Sequence, residues 1–170
     1  MKGQNLPHDW FPEPLPRNVE IGDRSWLYSS FAFTHYKSRK PCGVKVGHDT
    51  GLYNGTFFDL GPEGEVTVGN FCTLVGAIIA TNGKLEIGDY SFIAHEVVIA
   101  DSFGAVPGGN EGSSDGIIIG ENVWIGTNAI LLGGANISEG AIVGAAAVVD
   151  FEVPAYSIVV GNPAQVRYKI

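Results

Sequence analysis

Residues Ile119–Ile130 read IGENVWIGTNAI, and the pair Ile-Gly returns after six positions. Six matches neither the three- and four-residue spacing of an amphipathic helix nor the two-residue alternation of a half-buried strand. Carried forward, the beat places Ile119, Ile125, Leu131, Ile137, Val143 and Val149 in one set and Val123, Ala129, Ala135, Ala141 and Ala147 in another. One large aliphatic and one small apolar residue recur in every hexad. Six residues make one short strand and a corner, so three hexads close a triangular coil with the aliphatic positions inside. This is the pattern of a parallel β-helix.

The rest of the chain keeps the beat. Inward positions are expected at Ile21, Leu27 and Phe33, at Val46, Leu52 and Phe58, at Val68, Leu74 and Ala80, and at Ile87, Ile93 and Ile99. With the final hexads they give about six coils, which at about 4.8 Å per layer make a prism roughly 25 to 30 Å tall. Gly22, Gly47, Gly69, Gly88 and Gly120 follow the first inward residue of successive coils and form a column at one corner. The steps that exceed six, after Phe33, Phe58, Ala80 and Ile99, all fall at one edge. Loops gathered at one edge mark that edge as functional.

The expected organisation is an extended lead-in over residues 1–18, a β-helix domain over 19–149 carrying a long loop at 100–116, and a cap over 150–170. The 24 glycines and the 45% hydrophobic fraction suit short strands and corners around one lengthwise core. A formal charge of −8 argues against nucleic acid or an anionic membrane as partner. The basic run His35-Tyr36-Lys37-Ser38-Arg39-Lys40 reads as a solvated loop that could hold a phosphate. Without a signal-like or membrane-length apolar segment, the expected location is the cytoplasm. Cys42 and Cys72 have no evident pairing and read as structural.

From IGENVWIGTNAILLGGANISEGAIVGAAAVV through Val153-Pro154 to Val159-Val-Gly-Asn-Pro-Ala-Gln-Val166 the chain resembles the hexapeptide-repeat acyltransferases, in the branch of the galactoside, maltose and xenobiotic acetyltransferases. The resemblance implies a left-handed coil, a homotrimer, and transfer of an acyl group from acetyl-CoA or another acyl-CoA to a small hydroxyl or amine acceptor. It implies that Thr127, Gly144, Ala145, Asn162 and Pro163 line the coenzyme arm, with Arg167 as a cationic contact. No metal is expected.

Such a transfer requires a base to take the acceptor's proton, usually a histidine. The family carries its histidine in the long loop just past the position of Ile99. This chain has Ala100-Asp101-Ser102-Phe103-Gly104-Ala105 there, so the base must come from elsewhere. Of the four histidines, His8 lies in the lead-in, His35 in the first insertion and His48 at a corner of the second coil. His95 lies in the coil that launches the loop and is the expected base, placed by the hexad count between Gly76 and Asn128. Asp101, a strand away along the chain, would orient it only from a neighbouring subunit. Asn110, Glu111 and Asp115 in the glycine-rich loop could hold calcium. Two alternatives stand beside the transferase: an inactive trimeric β-helix scaffold or binding protein, and a β-helix carbonic anhydrase, which needs three converging histidines.

Overall fold

The computed structural model describes residues 5–101 and 116–169. Three parallel sheets form the faces of a prism. The first stacks Val19–Ile21, Val44–Val46, Glu65–Val68, Lys84–Ile87, Ile117–Ile119, Asn136–Ile137 and Glu152–Val153. The second stacks Trp26–Leu27, Gly51–Leu52, Thr73–Leu74, Phe92–Ile93, Trp124–Ile125, Ile142–Val143 and Ser157–Val160. The third stacks Phe57–Leu60, Ile78–Thr81, Val98–Ala100, Ile130–Leu132 and Val148–Val149. In the first coil this third side is a 3-10 turn, Ser30–Phe33, whose Phe33 ring stacks on Phe58 at 4.9 Å. Two further sides follow the sixth coil, and Gln165–Lys169 then turns back antiparallel to Ser157–Val160.

The parallel strands pair in register, so equivalent residues stack: Ile93 sits between Leu74 and Ile125, and Ile99 between Ile79 and Leu131. One expectation is corrected here. The third side of the third coil buries Ile79, not Ala80, because Ile79 follows Leu74 after five positions and not six. That coil is one residue short at the corner between the second and third faces. The insertions do share one edge, between the third and first faces, where residues 34–43, 61–64 and 101–116 connect the coils.

Two devices hold the corner between the first and second faces. Stacked backbones run so close at the glycine column that a Cβ on Gly22 would lie 2.4 Å from the Gly47 carbonyl, and one on Gly88 2.6 Å from the Glu121 nitrogen. Beside it, hydroxyl and thiol groups tie each of the first four coils to the next. Ser25 Oγ donates to Gly47 O at 2.6 Å, Thr50 Oγ1 to Gly69 O at 2.8 Å, Cys72 Sγ to Gly88 O at 3.1 Å and Ser91 Oγ to Gly120 O at 2.9 Å. The same oxygens accept from the coil above, as when Cys72 N–H donates to Thr50 Oγ1 at 3.0 Å.

The lead-in is docked, not loose. The Asp9 carboxylate accepts from Ser29 Oγ at 2.7 Å, from Ser30 N–H at 2.6 Å and from Phe11 N–H at 3.0 Å. His8 Nε2 lies 2.9 Å from Leu27 O, its ring stacked on Trp26, and Leu15 is buried beneath the first coil. Burial works against the charged form of Asp9. The hydrogen bonds from Ser30, Phe11 and Ser29 outweigh it and hold the pKa at about 2, below the ordinary 3.8.

Two predictions follow from these contacts. Thr50→Val keeps the shape but leaves Cys72 N–H and Gly69 O unpaired in the interior, and lowers the unfolding free energy by about 1 to 3 kcal/mol, read in urea. Asp9 ionises below its unfolded-state pKa, so its contribution is complete above about pH 4 and fades as the pH falls toward 2. A fluorescence change of Trp10 over that interval, absent in Asp9→Ala, is the expected sign of lead-in release.

Candidate functional site

The corner between the second and third faces carries most of the residues that the sequence singles out. From the strand register, His95, Thr127, Ala145 and Gly161 occupy equivalent positions two residues past Ile93, Ile125, Val143 and Val159. Asn128 N–H donates to His95 O at 3.0 Å and Ala146 N–H to Thr127 O at 2.9 Å, so these coils stack directly. Gly144 precedes Ala145, and Asn162 and Pro163 follow Gly161. His95 through Pro163 therefore run along one edge over three coil steps, roughly 14 Å at the usual strand spacing. His95, Thr127, Ala145 and Asn162 are exposed along it.

Below His95 the edge changes character. Because the third coil lacks one residue at this corner, Gly76 takes the left-handed position, with φ of 69°, that Glu96, Asn128 and Ala146 hold above it. Glu96, not His95, is thus the residue stacked between Gly76 and Asn128, and Asn128 Nδ2 donates to Glu96 Oε2 at 3.1 Å. This corrects the placement from the hexad count. No residue of the third coil lies under the imidazole. A second consequence concerns the backbone. Asn128 and Ala146 donate their N–H groups to the coil below, whereas the Glu96 N–H makes no backbone hydrogen bond among the described residues. The corner is therefore one residue shorter beneath His95, with Gly76 buried and with His95 and Glu96 exposed above it. Sequence reading missed it, although Ala80 was the one small residue in an otherwise bulky inward column.

Asp101 and His95 are not brought together within one chain, for they stand at opposite ends of Val98–Ala100. Asp101 instead ties the third coil to the fourth: its carboxylate accepts from Thr81 Oγ1 and from Asn82 N–H, the latter at 3.2 Å. Arg167 is exposed on the returning strand, next to the register shift at Ile158 and Val159. The loop positions Asn110, Glu111 and Asp115 lie outside the described residues. Among the described residues, no three His, Cys, Asp or Glu side chains converge as metal ligands.

The remaining histidines lie elsewhere. His8 is held in the docked lead-in, and His35 sits edge-on to Phe57 at 5.5 Å. His48 lies at the glycine-column corner with Nδ1 2.7 Å from Asp49 Oδ2, its ring edge-on to Phe71. Asp49 also accepts from Arg24 Nε at 2.7 Å, and the hydrogen bonds from Arg24 and His48 lower its pKa to about 2. Of the four, His48 alone has a carboxylate partner among the described residues.

The fold is that of a hexapeptide-repeat β-helix. It superposes on a hexapeptide-repeat acetyltransferase of Vibrio cholerae, solved in complex with acetyl coenzyme A, with a TM-score of 0.61 over 82% of this chain and 75% of that one, at 20% identity. It also superposes on AntD, an N-acyltransferase of Bacillus cereus solved with dTDP and 3-hydroxybutyryl-CoA, with a TM-score of 0.58 over 90% of this chain and 80% of that one, at 19% identity. The coil is left-handed. In sequence the chain is similar to a chloramphenicol acetyltransferase of Escherichia coli, 30% identical over 72% of this chain and 65% of that protein. It is likewise similar to one of Agrobacterium fabrum, 29% identical over 71% and 63%. The chain spans less than two thirds of the length of these relatives. No family model matches it.

Proposed function

We propose that this protein transfers an acyl group from an acyl-CoA to a hydroxyl or amine of a small acceptor. The observation that carries the reading is the single edge on which His95, Thr127, Gly144, Ala145, Asn162 and Pro163 line up. Similarity to acetyltransferases in both fold and sequence supports it. The acyl-CoA supplies an activated thioester. Thr127, Gly144 and Ala145 border its arm, Asn162 and Pro163 close over it, and Arg167 meets a phosphate.

His95 acts as the base from its exposed position on this edge. As the acceptor oxygen or nitrogen bonds to the acyl carbon, its proton passes to His95, and the departing thiolate takes that proton when the carbon–sulfur bond breaks. The unpaired Glu96 N–H is a fixed donor for the negative oxygen that develops in between. Asp101 is a positioning residue, holding the root of the long loop against Thr81 and Asn82. The scaffold alternative lacks a reason for an amide and an imidazole that stand side by side without a partner among the described residues.

The proposal includes a homotrimer. Outward residues of the first face are largely polar, among them Glu20, Lys45, Thr67, Glu86 and Glu152. The second and third faces instead expose Trp124, Phe92, Ile78 and Ile130 in stacked columns. Two different apolar faces on one prism suit a ring of copies in which one face meets the other. We place the protein in the cytoplasm, in keeping with its two unpaired cysteines. None of the helical segments among the described residues is long and apolar enough to cross a membrane.

His95→Ala should lower turnover on an identified acceptor by about 10² to 10⁴ while leaving the affinity for acetyl-CoA nearly unchanged. His48→Ala should leave turnover unchanged. The reverse pattern would transfer the base to the His48–Asp49 pair at the other corner. Light scattering should give three times the 18.0 kDa chain mass, and a stable monomer would sink the assembly.

A further inference from the structure

The glycine-column corner, between the first and second faces, carries a column of its own. The residues three past Val68, Ile87, Ile119, Ile137 and Val153 are Phe71, Tyr90, Asn122, Gly140 and Tyr156, and each donates its N–H to the coil below, so they stack. All five have a left-handed backbone, with φ from 53° to 66°. Glycine and asparagine suit that conformation and bulky side chains do not. Yet three aromatic rings stand there, Phe71 45%, Tyr90 60% and Tyr156 46% exposed, too open for core packing to be the reason.

Two of these rings are fixed with a space between them. Tyr90 stacks on Phe71 at 5.0 Å with the planes 6° apart, so its other face looks up the column. Tyr156 is tied twice to Glu139, its N–H to the carbonyl at 2.9 Å and its hydroxyl to Oε1 at 2.5 Å. Its ring folds down over Gly140, where a Cβ would come within 2.5 Å of two ring carbons. Between Tyr90 and that ring the column offers only Asn122. From the Tyr90 coil to the level of Gly140 is two coil steps, about 10 Å. Midway, beside Asn122, stands Glu121, exposed and with no side-chain partner among the described residues. Asp89 and Glu139 lie below and above it in the same column, accepting from Asn70 N–H and from Tyr156.

The spacing and the charge select the occupant. A flat ring stacked on both tyrosines needs about 7 to 8 Å between them, two carbon contacts, and would leave the gap unfilled. A cation midway lies about 5 Å from each ring, inside the roughly 6 Å over which an aromatic face attracts it. A bare ammonium is compact and strongly hydrated, whereas a methylated one fills the gap with its methyl groups. The carboxylates of the column and a formal charge of −8 repel an anion and draw a cation. We propose that this corner binds the quaternary methylammonium group of a small molecule, held between Tyr90 and Tyr156 with Glu121 as its counter-ion. The site is independent of the acyl-transfer edge, and no bond is made or broken in it.

The test titrates the intact nitrogen-15-labelled chain with tetramethylammonium chloride. The Tyr90, Asn122 and Gly140 amides should shift and saturate in the millimolar range. Equal sodium chloride, and 3,3-dimethylbutan-1-ol as a neutral group of similar bulk, should leave them in place. Glu121→Gln, an exposed change of charge alone, should raise the dissociation constant about threefold. Tyr90→Asn, which suits the left-handed backbone, should raise it by at least as much. Absence of saturable shifts, an equal response to the neutral alcohol, or an unchanged dissociation constant in Glu121→Gln would overturn the assignment. Shifts of the same amides that follow protein concentration and not the cation would overturn it too, and give the rings to a second copy of the chain.

Discussion

Everything in this molecule depends on vertical register: each coil must present the same backbone groups at the same height of the corner as the coil beneath it. Stacked N–H and C=O groups about 4.8 Å apart leave no freedom to slip, because a one-residue shift would turn the whole inward column to solvent. The Ser25, Thr50, Cys72 and Ser91 side chains reinforce that register by each bonding to the backbone of the next coil up the stack. The glycine column allows the approach. With register enforced everywhere else, a local departure from it acquires meaning, and the third coil departs at one corner.

That departure could be absorbed in a globular core by repacking. Here it cannot, since the coils above and below hold their own lengths. The shortage is paid for by Gly76, which moves into the left-handed position, and by a backbone amide at Glu96 that has no acceptor beneath it. An unpaired donor is retained only where water or a ligand satisfies it. The exposed His95 next to it gives this corner its chemical setting. The ordinary corners at Asn128 and Ala146 show what the same position looks like when the register is kept.

The hexad beat made the prism legible before any coordinates, including the edge that collects the loops and the columns formed by Gly22 to Gly120. It also put His95 at a corner of the coil that launches the long loop, whereas Thr127 and Ala145 were reached only through the family resemblance. It misplaced Ala80 and the neighbours of His95, because counting in sixes conceals a single five-residue side; only the small size of Ala80 hinted at the break. The docked lead-in was not legible at all. Residues 5–18 have no repeat, and the bonds that fix Asp9 to Ser29 and Ser30 are between segments whose approach no period reports.

The central claim is that the corner from His95 up to Pro163 is where the acyl donor lies. Titration of the nitrogen-15-labelled protein with acetyl-CoA tests it most directly. The account predicts saturable amide shifts at Glu96, Thr127, Gly144, Ala145 and Asn162, along one edge, with the first face silent. Shifts gathered instead around His48, Phe71 and Tyr90, or no shifts at millimolar ligand, would contradict it.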